Sequence, residues 1–353
     1  MTKEESLQLK GIAIMMMLWL HLFGTNQTII EGCEKYIYLW NGAPMIYAMR
    51  KFGRMCVVLY TFLGGYGMYK VYQRSNNIDL GITNGMNNGK RALKLLANYW
   101  IVFLIFIVIT SFTHPGKYTA DTESLLLNFF ALKNNYNGTL WFLMPYIILI
   151  LLLTPIMRAA SSLNGKKLWA VIIAALAVKI LLYNTTIPGN NIFNNILINC
   201  IHALGLFFMF FIGAIYARFN IMEKCVSKIK QKLSASFIVQ RLHVNVSFVC
   251  TLLLILLFFG RIAQGASPLL DPIYILIMIP IYLSIDTSKW IRQTLTTLGS
   301  HSTNIWFLHE YIIILSGTSI LFFRYPIAIF AALLSACLIC SFIINGIKRI
   351  TGI

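Results

Sequence analysis

Ile196-Leu197-Ile198-Asn199-Cys200-Ile201-His202-Ala203-Leu204-Gly205-Leu206-Phe207-Phe208-Met209-Phe210-Phe211-Ile212-Gly213-Ala214-Ile215-Tyr216-Ala217 runs from end to end without a Lys, Arg, Asp or Glu. About 20 such residues, wound as a helix, match the hydrocarbon thickness of a bilayer. Inside hydrocarbon each backbone N–H and C=O must be satisfied within the structure, which leaves a helix or a closed barrel. The run is too long, and alternates too little, for a barrel strand. Comparable runs recur along the whole chain, and spans are expected at residues 11–23, 56–72, 93–112, 140–157, 168–183, 196–217, 244–260, 273–285, 304–323 and 326–347. Several are shorter than a span requires and must borrow flanking residues or tilt. The expected fold is an all-α, polytopic integral membrane bundle of about ten transmembrane helices. It forms one domain over residues 1–353, with no appended soluble domain.

Composition points the same way: only 11% of the residues are charged, against about 25% in a typical soluble chain, so water is not the solvent for most of this surface. The formal charge of +18 raises the question of nucleic acid. In a membrane protein, however, the placement of Lys and Arg along the chain carries the information. With the N-terminus inside, about 20 of the 29 basic residues fall in cytosolic segments, notably 70–94, 158–167, 218–241, 289–292 and 348–349. A multi-pass protein of the cytoplasmic (cell) membrane with both termini cytosolic is therefore expected. The basic loop 218–241 reads as a topology signal and a contact for anionic membrane lipid, not as a nucleic-acid site.

Of the seven cysteines, Cys56, Cys200, Cys250, Cys337 and Cys340 lie in or beside spans and read as small packing residues. Cys337-x-x-Cys340 lacks His or acidic neighbours, so neither zinc nor redox chemistry is expected there, and no metal cluster is visible elsewhere. The first apolar segment has no small-residue cleavage site and reads as a retained helix. The two long outer loops, 25–53 and 113–139, carry Tyr36, Tyr38, Trp40 and Asn41, and Asn134, Asn135, Tyr136 and Asn137. Such residues suit sugar binding, since aromatic faces stack on pyranose rings and amides pair with hydroxyls. They suit an interfacial loop equally well.

Ionisable side chains are expensive inside a membrane and mark functional sites. Here they are Lys10, His21, Lys94, Lys179, His202, His309 and Glu310. Lys10 and His21, eleven residues apart, return to within about 20° of one helix face with a rise of about 16 Å, so both point into one groove. That separation is comparable to an extended pantetheine arm, and an imidazole in such a place suits a general base. The alternative is a histidine bonded to a neighbouring helix with Lys10 as a snorkelling flank residue. Arg91 and Lys94 share a face at the cytosolic start of the third span, where they suit either phosphate or the positive-inside anchor. His309 and Glu310 are successive on a helix and diverge by about 100°, so they are not expected to aim at one point. His202 and Lys179 read as their partners or as helix–helix hydrogen-bonding residues.

Taken in chain order, these features resemble the acyltransferase 3 family of membrane O-acyltransferases, which includes enzymes that acetylate bacterial envelope glycans. The opening Leu9-Lys10-Gly11-Ile12-Ala13 leading to His21 is similar to the family's basic residue, Gly-Ile-Ala, apolar run and His. The run from Leu59 to Gly67 resembles its Phe-Phe-x-Leu-Ser-Gly-Tyr helix, and Arg91-x-x-Lys94 its Arg-x-x-Arg. Leu140-Trp141-Phe142-Leu143 and the stretch from Gly299 through Asn304 to His309 complete the likeness. Four departures stand out. Lys10 and Lys94 replace Arg, Gly64 replaces Ser, and Pro145-Tyr146 occupy the place where some branches carry Glu.

The resemblance implies a ten-helix domain that takes an acyl group from cytosolic acyl-coenzyme A and delivers it to a hydroxyl of an extracytoplasmic acceptor. Acetyl-coenzyme A would then be a donor co-substrate, with no tightly bound cofactor, and an envelope polysaccharide or lipid-linked sugar would be the acceptor. On that footing His21 and Glu310 are the candidate catalytic residues, with Glu31 as another candidate acid. Lys10, Arg91 and Lys94 are donor-binding candidates, and Trp141, Asn304 and His309 substrate-binding candidates. The rival from another class is a transporter or flippase of a lipid-linked glycan. It lacks support from any pair of Gly/Pro-interrupted half-helices.

Overall fold

The computed structural model describes residues 1–351 except 35, 36, 40, 41, 43, 77–82, 119–120, 183–184, 186–190, 242 and 265–266. Tyr36, Trp40 and Asn41 of the first outer loop thus lie outside the described residues. Helices dominate, and the only bridge outside them among the described residues joins Tyr38 to Pro44.

In chain order the main elements are α1 (Lys3–Leu20), α2 (Cys56–Asn76), α3 (Thr83–Thr113), α4 (Leu143–Leu151), α5 (Leu153–Ser162), α6 (Gly165–Leu181), α7 (Ile192–Arg218), α8 (Val246–Ala263), α9 (Asp271–Leu283), α10 (Lys289–Ser316) and α11 (Pro326–Thr351). A helix lies at each of the ten expected places. Six helices are long and apolar enough to cross a membrane, or seven if the bent α4–α5 pair is one span, so the expected count of ten is not reached by this measure. α6, with 17 residues, and Pro268–Leu283 are the short ones.

Two expected spans differ in shape. The run 140–157 is not one straight helix, because α4 and α5 meet at 61°. Pro155 lacks an N–H and its ring opposes the carbonyl of Leu151, which ends α4. The run 304–323 begins a full four turns earlier, at the Ser288 N-cap, whose hydroxyl accepts from the Ile291 N–H at 3.4 Å. In its polar first half Ser300 and Ser302 satisfy their hydroxyls by donating back to the carbonyls of Thr297 and Gly299, each at 2.8 Å. The outward faces are greasy, as a lipid solvent requires: Phe248, Leu252, Ile255, Leu256 and Phe259 form an exposed stripe on α8.

The interior is organised by two crossings at which backbones touch. α1 packs on α10, where a Cβ on Gly11 would lie 2.3 Å from the Leu295 carbonyl oxygen and one on Gly299 would lie 1.9 Å from that of Leu7. α2 packs on α7, where a Cβ on Gly65 would lie 1.8 Å from the Phe210 oxygen and one on Gly213 would lie 2.2 Å from that of Phe62. Small residues are the usual route to close helix contact in a bilayer. Tyr60 then ties α2 to α1 by donating to the Lys10 carbonyl oxygen at 3.3 Å.

Gly299→Val cannot be accommodated without parting α1 from α10. It is expected to destabilise the protein by at least about 2 kcal/mol, whereas Gly67→Ala, which meets nothing within 4 Å, is expected to be neutral. Thermal unfolding in detergent, followed by size exclusion, checks the contrast.

Candidate functional site

α1 ends in a π turn, His21–Thr25, closed by the Thr25 hydroxyl donating to the His21 carbonyl oxygen at 3.1 Å. Such wide turns recur at functional sites. His21 and Lys10 both line one cavity of about 500 Å³, together with the aromatic walls Tyr60, Trp141, Phe142, Tyr146 and Trp306. The helical arithmetic on the first span therefore describes the actual groove. Trp306 is held against the wall by donating from Nε1 to the Thr139 carbonyl oxygen at 3.1 Å, and Trp141 meets the His202 ring edge-on at 5.3 Å.

Behind His21 stands α10. The His21 and His309 rings are 5.0 Å apart, and nitrogen or oxygen atoms of His21, His309 and Glu310 all lie within 4.8 Å of one another. The expectation that His309 and Glu310 could not share a target is therefore corrected. Their Cβ directions diverge, but the target sits between those directions, and the long Glu310 side chain reaches it from one side. His309 is fully buried and lines neither cavity described here, so it backs His21 instead of facing the open space. Its Nδ1 is 2.7 Å from the Trp306 carbonyl oxygen, which only accepts, so Nδ1 carries the hydrogen. Nε2 is then a buried lone pair with no hydrogen-bond partner among the described residues. The same three groups are spaced as ligands of a cation would be, which no sequence spacing signalled. Glu31, the other candidate acid, is exposed and accepts from the Gln27 amide at 2.6 Å.

Arg91 and Lys94 do not enter the larger cavity. They line a second one, of about 340 Å³, with Asn98, Asn304, Asn345 and Lys348. Three cations face it, and no carboxylate lines it among the described residues. Asn304 is therefore placed with the basic pair and away from Trp141. Its Oδ1 accepts from Asn98 at 2.9 Å and from Lys348 at 3.3 Å. Lys348 escaped sequence reasoning because a Lys at the end of the last span looks like an ordinary anchor.

Leu95, Tyr146 and Thr303 line both cavities and form the partition between them. Here two departures from the family pattern meet. A Cβ on Gly64 would lie 2.8 Å from the Tyr146 hydroxyl, so the glycine makes room for the tyrosine.

A buried ion pair was also missed. Arg261 and Asp271, at the facing ends of α8 and α9, bond at 3.0 and 2.6 Å with side chains 0% and 3% exposed. Each lies just beyond an expected span, which hid the pair. Asp271, with Arg54 and Lys179, lines the larger cavity.

A family described as an acyltransferase domain matches residues 7–346, and the chain belongs to that family. It is a membrane acyltransferase, which sets the transporter reading aside. No curated protein and no solved structure matches it.

Proposed function

We propose that the protein is an O-acyltransferase that moves an acyl group, acetyl in the first instance, from cytosolic acyl-coenzyme A to a sugar hydroxyl of an extracytoplasmic polysaccharide or its lipid-linked precursor. The observation that carries this reading is His21 on the wall of the cavity that also holds Lys10, backed by His309 and Glu310, in a chain of an acyltransferase family.

The donor's phosphates take the smaller cavity, where Arg91, Lys94 and Lys348 supply positive charge and Asn304 and Asn345 supply amides. Its acyl-bearing arm passes the Leu95, Tyr146 and Thr303 partition into the larger cavity, past Lys10 and toward His21. There the acceptor sugar lies against Trp141 and Trp306. Neutral His21 takes the hydroxyl proton as the sugar oxygen attacks the thioester carbonyl. The tetrahedral intermediate collapses, the C–S bond breaks, and the departing thiolate recovers the proton from the imidazolium. The Glu310 carboxylate stabilises that imidazolium by its nearness. His309 is a positioning residue, its ring fixed through the Trp306 carbonyl, with the Nε2 lone pair available to the His21–Glu310 pair. No nucleophile motif such as Gly-x-Ser-x-Gly stands in a suitable place, which favours direct transfer over an acyl-enzyme.

Turnover of radiolabelled acetyl-coenzyme A with candidate glycans tests the base. His21→Ala is expected to lower kcat by a factor of about a hundred to ten thousand, and chelation of divalent cations to leave the wild-type rate unchanged. Undiminished turnover in His21→Ala would remove the base, and loss of activity on chelation would favour a bound cation at the same three groups. Coenzyme A binding tests the smaller cavity. Lys348→Met and Arg91→Gln are each expected to weaken it about tenfold or more, with unchanged affinity counting against this placement.

A further inference from the structure

The groups around His21 form a ligand set whose donor atoms are otherwise unspent. His309 donates from Nδ1 to the Trp306 carbonyl oxygen at 2.7 Å, which leaves its Nε2 lone pair in full burial with no hydrogen-bond partner among the described residues. Neither the His21 ring nor the Glu310 carboxylate makes a hydrogen bond or an ion pair among the described residues. The charge that bears on Glu310 is that of Lys117, exposed on the loop after α3 and beyond ion-pair distance. Donor atoms of His21, His309 and Glu310 all lie within 4.8 Å of one another. A buried lone pair without a donor is costly, and each one in a folded protein asks for an occupant.

An imidazole locked through its other nitrogen to a main-chain carbonyl is the usual posture of a metal-ligating histidine. Two imidazoles and a carboxylate suit zinc or a neighbouring transition ion, whereas magnesium and calcium prefer sets made of oxygen alone. A tetrahedral zinc ion holds such donors about 2.0 Å from itself and about 3.3 Å from one another, so the three groups need to close by at most about 1.5 Å. That distance is within the reach of the Glu310 side chain. His21 lines the larger cavity, which gives the ion its route and leaves a fourth position open to that space.

We propose that His21, His309 and Glu310 bind a divalent transition ion, zinc foremost, and that its occupancy shuts the transferase off. The binding follows from the geometry and the donor set; the inhibition rests on the transferase reading, in which His21 accepts a proton. A neutral imidazole has one ring lone pair. Once that pair is given to a metal it no longer takes a hydroxyl proton, so coordination and general-base catalysis exclude one another at His21. The ion also claims the Glu310 carboxylate, which in turnover stands beside the imidazolium. The same three groups thus have two states, a metal-free one that transfers and a metal-bound one that does not.

The experiment uses the full chain, free of any affinity tag, in nanodiscs and stripped of metal on a chelating resin. Zn2+ is titrated against a chromophoric chelator with no acyl-coenzyme A present, and turnover of radiolabelled acetyl-coenzyme A is followed in parallel. Zinc is expected to bind at about one ion per chain, and Glu310→Gln, which keeps the side-chain shape, and His309→Ala are each expected to weaken it about a hundredfold or more. His202→Gln removes an imidazole of the same cavity that is outside the triplet and is expected to leave zinc affinity unchanged. Co2+ bound to the wild type is expected to give the intense visible bands of a four-coordinate ion. Turnover is expected to fall in step with zinc occupancy and to return on chelation, with Mg2+ having no effect. Absence of stoichiometric zinc binding, an octahedral cobalt spectrum, or an affinity that depends on His202 and not on Glu310 would overturn the site. Zinc held at the triplet with turnover unchanged, equal inhibition by Mg2+, or activity that appears only when zinc is added would overturn the inhibition. Turnover of the metal-free wild type reports separately on the transferase reading, so either idea is able to fail while the other stands.

Discussion

The contact on which the rest depends is the crossing of α1 over α10, where Gly11 and Gly299 let two helix backbones meet without intervening side chains. That approach sets the separation of everything further along the same two helices. It brings His21, the first residue of the π turn that follows α1, to a ring separation of 5.0 Å from His309 and places Glu310 beside both. Sequence motifs that look like a loose string of glycines and polar residues are thus two halves of one contact. Gly11 adjoins Lys10, which shares a helix face with His21, and Gly299 stands eleven residues before Glu310, within about 20° of the same face.

A membrane interior tolerates charge only where the charge has an occupation. Here the charges sort into three settings. Arg261 and Asp271 form an ion pair in full burial. Arg91, Lys94 and Lys348 gather at a small cavity without a carboxylate on its wall. Lys10, Arg54 and Lys179 are spread along a larger, aromatic one. Tyr146 stands between the two cavities, in space that a glycine at position 64 leaves open. A serine at 64 would crowd the tyrosine hydroxyl, so the two departures from the family pattern are a matched pair, and both bear on how the cavities communicate.

Much of this is legible in the sequence. Long uncharged runs required helices in lipid, and the eleven-residue separation of Lys10 and His21 required a shared face; the structure keeps both. What escaped had physical reasons. The bend at Leu152 follows from Pro155, whose effect is invisible to hydropathy. The pairing of Arg261 with Asp271 links residues just outside two spans, and no periodicity connects them. The meeting of His309 and Glu310 near one point depends on side-chain reach, which a helical wheel omits. Lys348 belongs to a site only because α11 folds back beside α3 and α10, a tertiary fact. Placing Asn304 with the basic pair likewise required knowing which side of the partition it faces.

The account turns on one path from the cations of the smaller cavity, past Tyr146, to the ring of His21. The measurement that addresses it most directly is an electron cryomicroscopy map of the protein in nanodiscs with an acyl-coenzyme A analogue whose thioester sulfur is replaced by methylene. Phosphate density among Arg91, Lys94 and Lys348, with the carbonyl surrogate in contact range of His21, is the predicted result. Phosphates bound elsewhere, or an acyl end that stops short of Tyr146 with His21 sealed from it, would contradict the account.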